Sequence, residues 1–326
     1  MKLGRRTSRV LATGGQIAVF AVIAWFIYQS LAKGFESSNF LALHFDWRWL
    51  TASWILLAVY YALYTLGLDL VMQSLGSRLT YAKAFKLNFA TNPGKYVPPG
   101  VIWPAVGRAA LAPRMKLSSV HAVVSLVLEA GLSSAAGIIV FILSLGFGAK
   151  APVGTQPWIW AGLAILLICL HPAIFRRALA IVFRVVRVKH EVPSLRYGAT
   201  LGLVAFYALT WLTAGAAFQC FTLALVKGAQ GNILEYAGVY AVATIAGMVI
   251  PGGPAGLGER EAVLALLLTP YVGPGVAVVV AFAARVWFTL LELGLSGAAL
   301  AMPASIGPQT PADGDMSLAT TPEVLS

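Results

Sequence analysis

The stretch that decides the fold class is LSSVHAVVSLVLEAGLSSAAGIIVFILSL, which covers residues Leu117–Leu145. It is longer than the roughly 20 residues that an α-helix needs to cross the hydrocarbon core of a membrane. Backbone amides in lipid must form hydrogen bonds within their own segment, because no water is present to satisfy them. The stretch therefore predicts a membrane-spanning helix, with Glu129 near its middle.

Five further blocks are similarly apolar: Gln16–Leu31, Trp49–Met72, Trp158–Leu170, Tyr197–Val226 and Gly275–Met302. The short block at Trp158 spans a membrane only if it continues through His171-Pro172 to Phe175. Hydrophobic residues make up 59% of the 326 residues and charged residues only 11%, whereas soluble domains carry roughly a quarter charged residues. We predict an all-α, polytopic integral membrane bundle with about six full spans.

The net charge of +11 does not indicate nucleic-acid binding, because the cations are distributed as in membrane proteins. They precede the first block and fill the central loop: Lys2, Arg5, Arg6, Arg9, Arg176, Arg177, Arg184, Arg187, Lys189 and Arg196. Cytoplasmic loops of membrane proteins carry this excess of Lys and Arg. We therefore predict a protein of the cell (inner) membrane with both termini cytoplasmic.

The chain divides into a basic N-terminus (1–13), one transmembrane domain (14–306) and a disordered, polar tail (307–326). The first apolar block is longer than the apolar core of a signal peptide, so it predicts a retained span. Cys169 and Cys220 lie in separate apolar blocks and are interpreted as packing residues. Metal-ligand spacings, phosphate loops and nucleophile elbows are absent from the sequence. We expect no cofactor, no metal and no catalytic residue.

Short matches recur in the same order in two halves of the transmembrane domain, about 14–150 and 157–302. LEAGLS at Leu128–Ser133 matches LELGLS at Leu291–Ser296, and YAL at Tyr61–Leu63 matches YAL at Tyr207–Leu209. Each half contains three predicted crossings, so the second half begins on the opposite side of the membrane. Inverted repeats of this kind are typical of transporters, which bind their substrates between the halves.

Each half also contains a segment dense in Pro and Gly, Asn92–Gly100 and Ile250–Gly258. The residues predicted to form the turns are Pro98, Gly100, Pro251, Gly252, Gly253, Gly256 and Gly258. Lipid-facing coil would leave amides unpaired. Each segment is therefore either a re-entrant hairpin or an interfacial loop. The predicted arms are Tyr81–Thr91, Trp103–Ala112, Tyr236–Val249 and Glu259–Leu268.

Charged residues within spans cost roughly 2.5–3.5 kcal/mol each on insertion scales, so they normally mark functional sites. The candidate substrate-binding residues are Arg108, Glu129, Arg260, Glu261, Arg285 and Glu292. The Arg residues would hold a phosphate by charge-assisted hydrogen bonds. The Glu residues would balance those charges or contact a cationic headgroup. In the alternative interpretation, Glu259 and Glu261 complement a helix N-terminus and the Arg residues form ion pairs that hold the bundle together.

The stretch PGGPAGLGERE at Pro251–Glu261 resembles the P-G-G-x-G-x-x-E signature of the lysylphosphatidylglycerol synthase transmembrane-region family, also called the flippase-like domain. KYVPPGVIW at Lys95–Trp103 and the following Gly107-Arg108 resemble a second motif of one branch. Leu128-Glu129 resembles its L-L-E segment. The similarity covers residues 14–302.

Three features of the sequence depart from the family pattern. Pro98-Pro99 doubles a proline that is usually single, and Pro254-Ala255 is inserted into the glycine-rich turn. Ala130 stands where many relatives place an Arg after the first Glu. The first two departures leave the hairpin geometry open, and the third argues against a local Glu–Arg relay.

The resemblance implies movement or handling of membrane lipids. We predict a flippase-like protein that acts on an anionic phospholipid, an aminoacyl-lipid or a polyprenyl-phosphate-linked lipid. Some relatives have a soluble domain that makes the aminoacyl-lipid; we expect this chain to lack that domain and not to be an enzyme. The alternatives are a membrane-embedded transferase with Glu261 as its base, or an accessory subunit without transport. The expected partners are membrane lipids and a separate synthase or glycosyltransferase.

Overall fold

The computed structural model describes residues 44–96, 102–147, 156–169, 197–249 and 256–303, together with positions 174, 177 and 180. These residues form helices, two short 3-10 turns (Asn92–Tyr96 and Pro113–Met115) and no β-strand. The helices are α1 (Trp47–Ser74), α2 (Tyr81–Phe89), α3 (Ile102–Leu111), α4 (Ser119–Phe147), α5 (Gln156–Cys169), α6 (Tyr197–Leu225), α7 (Ile233–Val249), α8 (Glu259–Val272) and α9 (Pro274–Ala301).

Four of the helices, α1, α4, α6 and α9, are long and apolar enough to cross a membrane. They coincide with four of the six predicted blocks, so the prediction of a helical membrane bundle is confirmed. The block at residues 16–31 and the continuation of α5 to residue 175 lie outside the described residues. The number of spans therefore stays a prediction.

Helix α1 packs along α6, and this is the most extensive helix–helix contact among the described residues. The backbone amides of His44 and Asp46 donate to the carbonyls of Leu225 and Ala224, both at 2.9 Å. These bonds place the start of α1 beside the end of α6, so the two helices run antiparallel. The predicted repeat treats α1 and α6 as equivalent helices. Their antiparallel packing is the relation that an inverted repeat requires, although the repeat itself stays a prediction.

The two Pro/Gly-rich segments separate pairs of helices that match the predicted arms within a few residues. In the second half, α7 and α8 pack directly on each other. In the first half, α2 and α3 contact each other little, and the turn Asn92–Tyr96 packs against α3. Gly94 touches the side chain and backbone of Trp103 in that contact. The helices that flank the second segment therefore pack as a pair, whereas in the first half the contact with α3 runs through the turn Asn92–Tyr96.

The second hairpin depends on two glycines with positive φ. Gly256 has a φ of 67° and Gly258 a φ of 96°, which side chains other than that of glycine rarely adopt. A Cβ atom on Gly256 would also collide with the backbone of Gly247, near the end of α7. The predicted turn residues Pro98, Gly100, Pro251, Gly252 and Gly253 lie outside the described residues.

Small residues allow the helices of the bundle to approach closely, as is common in membranes. Gly215 of α6 lies against the backbone and Cβ of Ala237 in α7. Apart from the adjacent residues and the backbone of its own helix, Gly202 of α6 has no atom within 4 Å of the position that its Cβ would occupy. The two glycines therefore form a matched pair for substitution.

We expect Gly215→Ala to destabilise the bundle by about 1–3 kcal/mol, because the added methyl group overpacks the α6–α7 contact. Gly202→Ala should leave stability unchanged or raise it slightly, since Ala favours helix by about 1 kcal/mol over Gly. Thermal unfolding of the detergent-solubilised protein, followed by tryptophan fluorescence, measures both. Equal melting temperatures for the two variants would contradict the close contact.

Candidate functional site

Arg108 and Glu129 form a sealed ion pair between α3 and α4. Arg108 Nη1 lies 2.6 Å from Glu129 Oε2, and the two side chains are only 2% and 1% exposed. The guanidinium also donates to Ser125 Oγ at 3.0 Å and to Asn88 Oδ1 at 3.2 Å. These contacts join α2, α3 and α4 through one buried cation.

The Glu292 carboxylate in α9 accepts hydrogen bonds from three residues of the turn Asn92–Tyr96. The Tyr96 hydroxyl donates to Oε2 at 2.7 Å. Asn92 Nδ2 and Lys95 Nζ both donate to Oε1, and Lys95 forms an ion pair there. Since the turn belongs to the first predicted half and α9 to the second, this carboxylate connects the two halves.

Glu261 has two partners at the start of α8. Its Oε2 accepts from the Gly258 backbone amide at 2.7 Å, which caps the helix. Its Oε1 accepts from Arg285 Nη1 of α9 at 3.3 Å. The Arg285 guanidinium lies 5.8 Å from the ring centroid of Tyr96. Helix capping and ion pairing, which the alternative interpretation expected, thus both occur at Glu261.

Arg260 differs from the other candidate cations in its surroundings. Its side chain is buried, with 8% of the residue exposed. The guanidinium carbon lies 4.9 Å from the ring centroid of Tyr240 and 4.7 Å from that of Phe288. No described carboxylate forms an ion pair with it. Arg260 is thus a buried cation that lies between two aromatic faces and interacts with the Glu261 charge at longer range, without an ion pair to any described carboxylate.

An open pocket of about 450 Å³ adjoins these residues. It is lined by Tyr96, Leu257, Arg285, Val286, Thr289 and Leu290. Tyr96 connects the pocket to the Glu292 carboxylate through its hydroxyl. Arg285 connects the pocket to Glu261. The pocket therefore lies beside the charged residues of α8 and α9, whereas the Arg108–Glu129 pair forms a separate buried cluster.

The six predicted site residues thus fall into two groups. Arg108 and Glu129 pair with each other, while Arg260, Glu261, Arg285 and Glu292 lie around the α8–α9 contact. Lys95, Asn92, Tyr96 and Asn88 also belong to these clusters but were not among the residues predicted from the sequence. Lys95 and Tyr96 belong to the second family motif, KYVPPGVIW, beside a predicted turn. Their place in that motif was the one feature of the sequence that could have indicated a role in the site.

Removing only one charge of the Arg108–Glu129 ion pair should lower the stability of the protein. We expect Arg108→Met to destabilise the protein by roughly 3–5 kcal/mol, because it leaves the Glu129 carboxylate buried without its cation. The double variant Arg108→Met/Glu129→Met removes both charges and should recover much of the loss. Thermal unfolding in detergent compares the variants. A double variant no more stable than Arg108→Met would show that the ion pair is not the source of the cost.

A search of curated proteins finds no match for the chain. The family model described as the lysylphosphatidylglycerol synthase TM region matches residues 15–294. That range includes every residue of both charged clusters and confirms the resemblance predicted from the motifs. The match covers most of the sequence, and the chain belongs to the lysylphosphatidylglycerol synthase TM region family.

Proposed function

We propose that the protein is a flippase-like lipid transporter of the cell (inner) membrane, with both termini cytoplasmic. Its substrate is a lipid with an anionic, phosphate-bearing headgroup: an anionic phospholipid, an aminoacyl-lipid or a polyprenyl-phosphate-linked lipid. Family membership, which connects the chain to membrane lipids, supports this proposal. The distribution of Lys and Arg supports the orientation.

Arg260 is the observation on which the proposal depends. A guanidinium has five N–H donors and stays charged in proteins. Burying such a group without an ion pair is costly, and among the described residues the two aromatic faces and the nearby Glu261 charge offset only part of that cost. A phosphate oxyanion provides both the negative charge and the acceptors that a guanidinium binds most strongly. The headgroup phosphate is therefore assigned to Arg260.

Arg108 is less suited to this role than Arg260. Its guanidinium already contacts the Glu129 carboxylate, Ser125 and Asn88, and it is almost fully buried. Releasing it for a phosphate would leave the Glu129 carboxylate unpaired in the interior. We therefore assign Arg108 and Glu129 a structural role. Their ion pair holds α3 on α4.

Transport of this kind requires no covalent step. The headgroup enters the polar region between the halves, while the acyl or polyprenyl chains stay in the bilayer. The cost of moving a phosphate through the membrane falls because Arg260 replaces part of its hydration shell. We propose that a separate synthase or glycosyltransferase makes or consumes the lipid, and that this chain moves it.

We expect reconstituted wild-type protein to move a fluorescent phosphatidylglycerol between the leaflets of liposomes. Arg260→Ala should slow this movement by about tenfold or more, since hydrogen bonds to charged groups contribute about 1.5–3 kcal/mol each. Arg48→Ala is the matched control, because Arg48 is exposed at the start of α1. Dithionite quenching of the outer-leaflet fluorophore measures the rate.

Melting temperatures of the reconstituted variants distinguish lost binding from lost folding, and Arg260→Lys provides a second test. Lys keeps the charge but lacks the planar fork that binds two phosphate oxygens. A folded Arg260→Lys should therefore move lipid more slowly than the Arg48→Ala control. Lipid movement at the wild-type rate in folded Arg260→Ala, or in liposomes without protein, would overturn the proposal.

A further inference from the structure

The pocket beside Tyr96 and Arg285 has two chemically different sides. Leu257, Val286 and Leu290 form an apolar side, and each is more than half exposed. Tyr96, Arg285 and Thr289 form a polar side that continues inward to the Glu292 carboxylate. In a membrane-spanning bundle, exposed aliphatic side chains face lipid. The pocket is therefore open towards the acyl chains and mostly apolar, with a few polar groups at its inner wall.

The pocket lies near the middle of a spanning helix. Val286 and Leu290 are about 18 and 24 Å along α9 from its first residue, at 1.5 Å per residue, and the whole helix is about 40 Å long. A polar inner wall at this depth faces the hydrocarbon core and not a headgroup layer. Arg285 at this depth is paired with Glu261, as charges inside a membrane bundle normally are.

We propose that this pocket is a lateral binding site for one phospholipid with an anionic headgroup. The headgroup phosphate contacts Arg285 and the Thr289 hydroxyl, while the acyl chains lie in the bilayer along Leu257, Val286 and Leu290. The site deepens the function proposed above and rests on it. It names the side from which the lipid reaches the interior and the residues that receive it before Arg260.

The size and charge of the site support this ligand. Its volume of about 450 Å³ lies within the range of small-molecule sites. A cavity of this size holds a lipid headgroup, and the acyl chains stay outside it. Arg285 supplies the cation, and the Thr289 hydroxyl supplies a further donor. Lys95 and Arg260 lie close to the pocket, because both contact the ring of Phe288, which precedes Thr289 in α9. The more deeply buried Arg260 is therefore near the pocket.

Site-specific photocrosslinking tests the proposal directly. A benzophenone amino acid is placed at Val286 in one variant and at Ile55 of α1 in the other; both positions are 60% exposed. Each variant is reconstituted into bilayers of phosphatidylcholine with a minor fraction of phosphatidylglycerol. After irradiation, mass spectrometry identifies the lipid attached to each position.

We expect phosphatidylglycerol adducts at position 286 several-fold above its share of the bilayer, and adducts at position 55 in proportion to the bilayer composition. Adding Arg285→Gln/Glu261→Gln to the position-286 variant removes the cation without leaving Glu261 charged and unpaired. This change should abolish the enrichment. Melting temperatures confirm that the combined variant is folded.

Two outcomes would overturn the site: adducts at position 286 that follow the bilayer composition, or enrichment that persists without Arg285. The result is independent of transport. Enriched adducts in a protein that moves no lipid would support the site and refute the transport proposal. Lipid movement without enriched adducts would refute the site alone.

Discussion

The burial of charge in an apolar interior is the constraint on which the arrangement of this protein depends. An uncompensated ion inside a membrane bundle costs several kcal/mol, so each charged side chain needs a partner that the fold must bring to it. Glu129 receives Arg108 from the short helix α3, and Glu292 receives Lys95, Asn92 and Tyr96 from a five-residue turn. The short broken segments therefore pack where the carboxylates of the long helices lie.

The two halves satisfy this constraint with the positions of cation and carboxylate exchanged between the short helix and the long one. In the first half, the cation is on the helix after the broken segment and the carboxylate on the following span, as in Arg108 and Glu129. In the second half, Glu261 is on the hairpin helix and Arg285 on the span. Because the signs are exchanged, the two pairs are not copies of one site. The sealed pair holds α3 on α4, and the Glu261–Arg285 pair borders the open pocket.

Much of the fold and part of the site were predictable. Apolar length predicted α1, α4, α6 and α9, and charges at membrane depth identified six residues that are all buried or nearly so. Lys95 was missed as a site residue because it adjoins a turn, where a solvated cation is the ordinary expectation. Its contact with Glu292 joins residues 197 positions apart. A local sequence pattern cannot predict a contact between residues so far apart in the chain.

The sequence by itself determined that the chain is a helical membrane bundle, because the hydrocarbon core excludes any backbone that does not satisfy its own hydrogen bonds. It also determined which side chains are costly to bury. Only the tertiary structure decided which partner each one meets. That choice left Arg260 between aromatic rings without a described carboxylate, while Arg108 is sealed. The physical reason is that ion pairing depends on distances of a few ångströms between distant segments, and helix packing sets those distances.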